Sequence, residues 1–490
     1  MSADYATLAR ALGAETALVV AALVVLAVDL AWMRGVSTEK RRDVAALFGA
    51  AGCVAALAWC RQSGAPSEVW GGVLILDTLA VVARVGVLVL LLGTFGVLCG
   101  NVANRNPAEQ VALLLLGGVG LLLMPAAQNL LLAFVALELA SLSLYLLVGF
   151  DKRSAESAEA GLKYFLVGGV TAACLLFGLS LIYGLTGTIS VGEMAGAVRA
   201  LEFSPLAAVA VALVVVALGF KVAAAPFHAW APDAYQGAPT PVAAWVASGS
   251  KVAALVLFYR LLWPGLHGWA GAMDDVGRIE RGWLPIVLVV ALASMALGNL
   301  VALAQRDVRR LLAYSAIGHA GVMLLALVLA GTFGVGTLVY YVFTYALATL
   351  GAFGVLAASE RDSRRTTFEN LAGLHARSPL LAWCLAVFVL SLAGIPPTSG
   401  FFAKLFVFAE AFRVNGISGP IGWAALAGIG FGVVGLYYYL LVLRAAFVAT
   451  ASGGTTERVH VRPLAVAVLV LTAALVVVLG VFPNWLLRVF

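Results

Sequence analysis

Four of the chain's six lysines, Lys163, Lys221, Lys251 and Lys404, lie inside apolar runs, while the loops between runs use arginine almost exclusively. That partition points to a chemistry. Taking an ammonium out of water disfavours its charged form, so a buried lysine can gain and release a proton, whereas arginine keeps its charge and can only anchor or repel. A lysine at the centre of a membrane helix also costs roughly 2.5–3.5 kcal/mol on insertion scales, so the positions call for a function, and proton movement is the default one. The bland alternative is a lysine near a helix end that extends its amine to the interface. It fits Lys163, which follows the charged loop 151–159, better than Lys221, Lys251 or Lys404.

Glu138 sits deep in the run 128–149 with no basic residue on its own helix. A lone buried carboxylate would be protonated and inert, whereas one paired with an amine stays charged and exchanges its proton with that partner. Lys221 is the candidate partner, and a purely structural salt bridge is the alternative. His228 and His319 lie in or beside apolar helices, where an imidazole suits a proton relay between sites and equally a quiet hydrogen bond to backbone. His267, His375 and His460 fall in loops and are expected to be solvated. Glu15 and Asp29 on the first helix, and Asp77 with Arg84 seven residues later on one face of the third, are candidates for subunit contacts or local pairs.

These residues need membrane helices to hold them. The chain has 490 residues, 63% hydrophobic and 11% charged, with mean hydropathy +1.04, against about 25% charged in soluble domains. Its net charge of +6 is spread through short loops, which argues against nucleic acid as a partner. The five cysteines have neither metal-ligand nor paired-loop spacing. Nothing resembles a nucleotide loop, a metal cluster or a nucleophile dyad.

Apolar runs of spanning length fall near 12–33, 43–60, 77–100, 109–127, 128–149, 160–183, 205–228 with a continuation to 237, 240–262, 283–304, 309–330, 332–357, 380–410, 418–447 and 463–487. The expectation is an all-α integral membrane protein of about 14 transmembrane helices. Loop lysines and arginines divide 17 to 7 between the two sides, which by the positive-inside rule places both termini outside. Prolines break two of the runs, at 226–241 and at Gly394-Ile-Pro-Pro-Thr-Ser-Gly400. Broken helices at matching places in two halves are the mark of an inverted-topology repeat with a site at the breaks. The layout gives three N-terminal helices over 1–108, a first repeat over 109–262, a second over 283–447, and a C-terminal helix within 448–490. At the second break the prolines leave carbonyls without intrahelical partners, so a wet pocket is expected beside Lys404, connecting to His319. The alternative is a dry kink with Lys404 paired to Glu410.

At these residues the chain resembles the antiporter-like membrane subunits of respiratory complex I, on the subunit N branch of that family. The matching stretches are Leu137-Glu138-Leu-Ala-Ser-Leu-Ser-Leu-Tyr145, Gly161-Leu-Lys163-Tyr-Phe-Leu166, Tyr183-Gly-Leu-Thr-Gly-Thr188, Phe220-Lys221 through Pro226-Phe-His228 to Pro239, Ala313-Tyr-Ser-Ala-Ile-Gly-His319-Ala-Gly321, and Gly394 to Gly400 with Lys404. The resemblance implies a proton-translocating subunit of an NADH:quinone oxidoreductase in the bacterial inner membrane. It implies Glu138 and Lys221 as the pair at proton entry, Lys251 as central relay, Lys404 at exit, and His228 and His319 between them. It also implies no cofactor on this chain, with FMN, iron–sulfur clusters, NADH and quinone in other subunits. The implied partners are a neighbouring antiporter-like subunit, small membrane subunits, membrane lipid and protons. The second half has no carboxylate where Glu138 would map, so the halves are not equivalent channels. Two rivals share the lysines or the layout: a subunit of a sodium/proton antiporter or membrane-bound hydrogenase, and a structural spacer that moves nothing.

Overall fold

Hydrocarbon offers the backbone no hydrogen-bonding partner, so long apolar runs must close their own bonds as helices. The computed structural model describes residues 5–61, 67–101, 105–271, 280–360, 367–449 and 461–490. Arg278, Arg361, Arg364, Arg365, Arg458 and His460, counted above among the loop residues, lie outside these.

The chain opens with α1 (Tyr5–Ala11), α2 (Gly13–Trp32) and α3 (Thr38–Arg61), followed by a short antiparallel hairpin of β1 (Ser67–Val69) and β2 (Leu74–Leu76). Then come α4 (Thr78–Gly100), α5 (Pro107–Leu123), α6 (Leu130–Val148), α7 (Ala155–Thr186) and the short α8 (Val191–Ala200). The first broken helix is α9 (Pro205–Lys221) with α10 (Trp230–Gly237), followed by α11 (Thr240–Ala247), α12 (Gly249–Arg260), α13 (Trp283–Ala302), α14 (Val308–Phe333) and α15 (Gly336–Ser359). After the single turns α16 (Phe368–Leu371) and α17 (Leu374–Arg377), the second broken helix is α18 (Pro379–Ala393) with α19 (Ser399–Asn415). The described chain ends with α20 (Pro420–Phe447), α21 (Pro463–Val481) and α22 (Asn484–Leu487).

Local signals set the helix starts. Asp77, Ser154, Ser204 and Asp307 each accept a backbone N–H as N-caps of α4, α7, α9 and α14. Proline opens α5, α9, α18, α20 and α21, where its missing N–H is one that no helix would use. Among the described residues twelve helical segments are long and apolar enough to cross a bilayer, with α11 and α12 counted as one. The expected count of fourteen requires each broken pair to complete one further crossing. Several boundaries shift by a turn or so: α3 and α7 each start five residues early and α21 ends at Val481, and the helix expected over 240–262 is interrupted at Ser248 before continuing.

Four spans, α11–α12, α13, α14 and α15, separate the two proline-broken helices. With chain direction alternating at each crossing, α9 enters from one face and α18 from the other, so the breaks are approached in opposite senses. This is the layout of an inverted repeat.

The centre of the protein is carried by α11–α12 and α14, each 94% buried over its most apolar stretch, while α7 is 33% buried there. Lys251 and His319 are therefore on the two most enclosed spans. Close approach of α13 to α14 depends on Gly321, where an added Cβ would stand 2.5 Å from the Ala291 carbonyl oxygen.

Ion pairs tie the N-terminal helices together, and they are not the pairs that sequence spacing suggests. Arg84 places Nη2 2.5 Å from a Glu15 oxygen, with both side chains buried, while Asp77 pairs with Arg260 at 2.5 Å. Asp29 takes Arg41. The spacing of Asp77 and Arg84 failed as a guide because Asp77 lies at the helix start, within reach of α12.

Removing one member of a buried pair leaves the other charge uncompensated, at a cost of about 3–5 kcal/mol. Glu15→Gln is expected to lower the thermal unfolding midpoint of the detergent-purified protein, and adding Arg84→Met should recover most of the loss. Unchanged melting in the single variant would contradict this role.

Candidate functional site

Lys221 is the last residue of α9, where the helix breaks before the cis Ala225–Pro226 bond. Its ammonium is buried and donates to the Ser141 hydroxyl of α6 at 2.8 Å; that hydroxyl itself donates to the Leu137 carbonyl. The direct pair expected with Glu138 is not formed. Glu138 and Ser141 are three residues apart and share a face of α6, and the lysine reaches the second of them. The Glu138 Oε1 is buried and accepts no hydrogen bond from the protein. The hydroxyl, and not the carboxylate, holds the amine.

Lys251 lies one turn past the interruption at Ser248 and is buried. Its ammonium donates to the Ala316 carbonyl of α14 at 2.7 Å and stands 5.1 Å from the centre of the Tyr345 ring, a cation–π distance. The same ring packs against His319, centroid to centroid 5.0 Å. No direct hydrogen bond joins Lys221 to Lys251 among the described residues.

His319, one turn beyond Ala316, has both ring nitrogens on hydroxyls: Nδ1 at 2.9 Å from Tyr341 and Nε2 at 3.2 Å from Tyr439. The Tyr439 hydroxyl also shares a hydrogen bond with Ser315. A hydroxyl can donate or accept, so the imidazole can change tautomer or charge without losing either partner. That is what a relay requires.

Lys404 completes the row. Its ammonium donates to the carbonyls of Leu392 and Ala393, both at 2.9 Å, the very groups the proline break frees at the end of α18. An ammonium there also meets the negative end of the half-helix dipole. Lys404 does not pair with Glu410, which accepts instead from Thr337 at 2.5 Å. A cavity of about 20 Å³, lined among others by His319, Lys404, Asn299 and Tyr439, lies between the histidine and the lysine. About 10–15 Å³ of this kind of space holds one water, and the polar lining supplies its partners.

Two expected members stand apart. Lys163, with its side chain 46% exposed, is held by Glu159 at 2.7 Å and Asp233 at 2.8 Å, and Asp233 also takes Arg310 at 2.5 Å. It sits on the outward face of α7, two turns from the helix start, rather than in the row. His228, on the connection between α9 and α10, is half-buried with Nδ1 unpartnered, and none of its hydrogen bonds reaches Lys221, Lys251 or His319. His375, expected to be solvated, instead stacks on Phe447 at 5.1 Å. The hydroxyls of Ser141, Tyr341 and Tyr439 were not singled out from sequence. Ser141 was findable as the polar residue one turn from Glu138, whereas Tyr341 and Tyr439 sit among thirteen tyrosines with no local mark.

Comparison with known proteins places this arrangement. The family described as "NADH:quinone oxidoreductase/Mrp antiporter, TM" matches residues 127–430. NADH-quinone oxidoreductase subunit N 2 of Acidobacterium capsulatum is 46% identical, covering 99% of each chain, and subunit N of Alkalilimnicola ehrlichii is 34% identical, covering 96% of this chain and 94% of that one. Among solved structures, a chain of respiratory complex I from Thermus thermophilus with bound aureothin is 33% identical with TM-score 0.78, covering 97% of this chain and 98% of that one. A chain of the Mrp complex from Dietzia sp. is 23% identical with TM-score 0.79, covering 97% and 96%, a likeness of fold.

Gly394 ends α18 with φ +84, and an added Cβ would stand 2.9 Å from Lys404 Cδ and 3.3 Å from its Nζ. Gly394→Ala is expected to push the ammonium off its carbonyls and lower proton transport severalfold. Gly187→Ala meets nothing within 4 Å at φ +72 and carries a similar backbone strain of about 1–2 kcal/mol, so its transport should be preserved. Equal transport in the two variants, measured in reconstituted vesicles, would contradict the role given to the lysine contact.

Proposed function

The chain belongs to the NADH:quinone oxidoreductase/Mrp antiporter transmembrane family, and from that premise we propose that it works as a subunit-N-type, proton-translocating membrane subunit of an NADH:quinone oxidoreductase. Glu138 and Lys221 govern proton entry, Lys251 and His319 carry the proton through the centre, and Lys404 releases it. Electron transfer from NADH to quinone, with its flavin and iron–sulfur clusters, belongs to partner subunits, and this chain supplies the membrane path. The partners are a neighbouring antiporter-like subunit and small membrane subunits. The arginine-rich face lies toward the cytoplasm, with both termini on the periplasmic side of a bacterial inner membrane.

One observation supports this reading above the others. The three lysines of the row rest on neutral oxygens, a hydroxyl and three carbonyls, so no carboxylate holds them charged. A neutral oxygen accepts a hydrogen bond from an ammonium, more weakly from an amine, and so does not lose its partner when the proton leaves. A spacer would have no use for such groups. Full-length identity of 46% to a subunit N, against 23% to the Mrp chain, favours the redox-linked complex over the sodium/proton antiporter. Purification of the native assembly separates them, since the proposal requires NADH-oxidising partners to accompany the chain.

Lys251→Arg keeps the positive charge and removes the releasable proton. Protons pumped per electron should fall severalfold, nearly as far as in Lys251→Ala, in a complex that still assembles. Full pumping in Lys251→Arg would make the role purely electrostatic.

A further inference from the structure

A large apolar cavity lies away from the proton row, between α3, α4, α15 and α21, with a volume of about 760 Å³. Its walls include Ala46 and Ala50 of α3, Leu92 of α4, Leu350 of α15, and Val468 and Leu475 of α21. From Pro463 to Leu475, α21 rises about 18 Å at 1.5 Å per residue, close to the hydrocarbon depth of one leaflet, about 15 Å. At the membrane face where α3 and α21 begin, the cavity is edged by Asp43 and Arg462. Arg462 pairs with Asp43 and, at 2.8 Å, with Glu39, and the three side chains are 38%, 41% and 69% exposed. An apolar slot one leaflet deep therefore ends at the exposed Arg462, flanked by Glu39 and by Asp43, which also takes the buried Arg42 at 2.8 Å.

An occupant of this slot must be apolar along its length and charged at one end. The mouth selects the headgroup. A phosphate engages a guanidinium through paired charge-assisted hydrogen bonds, and a primary ammonium carries three donors for the neighbouring carboxylates. A quaternary ammonium has no such donors, and a headgroup with only negative charge brings no cation to Asp43 and Glu39.

We propose that this cavity is a binding site for one phospholipid with a primary-amine headgroup, its acyl chain between α4 and α21, its phosphate on Arg462 and its ammonium on Asp43 and Glu39. The lipid joins the N-terminal helices to α21 and fills a gap that would otherwise leave the apolar walls without contacts.

The test is native mass spectrometry of the assembled complex after exchange into nanodiscs of phosphatidylethanolamine, phosphatidylcholine or phosphatidylglycerol. One phosphatidylethanolamine per copy of this chain should be retained, at least about tenfold over either other lipid. Ala50→Phe fills the slot and should abolish retention while leaving protons per electron unchanged. Leu471→Trp, at a side already 63% exposed, narrows the slot from outside and serves if the first variant does not assemble. No retained lipid, equal retention of all three, or undiminished retention in the filled slot would overturn the proposal. So would a disulfide cross-link between Leu471→Cys and a partner subunit, because a protein segment would then occupy the site.

Discussion

An amine buried in hydrocarbon needs a hydrogen-bonding partner, and the kind of partner decides what the amine can do. A carboxylate fixes it as a charge, whereas a hydroxyl or carbonyl leaves it free to be charged or neutral. This chain sorts its basic residues along that line. Arg41, Arg84, Arg260 and Arg310 each rest on a carboxylate. Lys221, Lys251 and Lys404 rest on neutral oxygens, and Lys163, on Glu159 and Asp233, keeps company with the arginines.

The breaks in the helices exist for the same reason. Carbonyls at membrane depth must be satisfied, and an interrupted helix frees some for a side chain, whereas Lys251 shares the Ala316 carbonyl of the continuous α14. At the second break Lys404 takes them. At the first, backbone N–H groups of Val222, Ala223 and Ala224 and the Trp230 indole satisfy the last carbonyls of α9, so Lys221 turns to α6 instead. Seven residues after Pro226 stands Asp233, and seven after Pro397 stands Lys404. The corresponding place anchors Lys163 and Arg310 in one half and lines the small cavity beside His319 in the other, so the two halves are not equivalent there.

Much of the fold was legible because hydrocarbon leaves the backbone few choices: run length gave the spans, and proline clusters gave both breaks. The interruption at Ser248 was not legible, since nothing in Trp-Val-Ala-Ser-Gly-Ser marks it apart from an ordinary small-residue stretch. The lysines were conspicuous for their rarity in apolar runs, but their partners were not. Burial depth along one helix cannot say which neighbour arrives at a side chain, so Glu138 was expected to touch Lys221 where Ser141 does. Lys163 lies on the exposed face of the 32-residue α7, as its place just after the charged loop 151–159 favoured, but its partner Asp233 was not legible.

The central claim is that neutral partners keep these lysines able to exchange protons, and Ser141 offers the most direct test because a single atom type can be changed there. Ser141→Asp gives Lys221 a carboxylate, and Ser141→Asn gives it a neutral oxygen of nearly the same shape. The deciding quantity is protons moved per electron in the assembled, reconstituted complex. The account predicts that Ser141→Asn retains most of that ratio while Ser141→Asp loses it severalfold. An undiminished ratio in Ser141→Asp would contradict it.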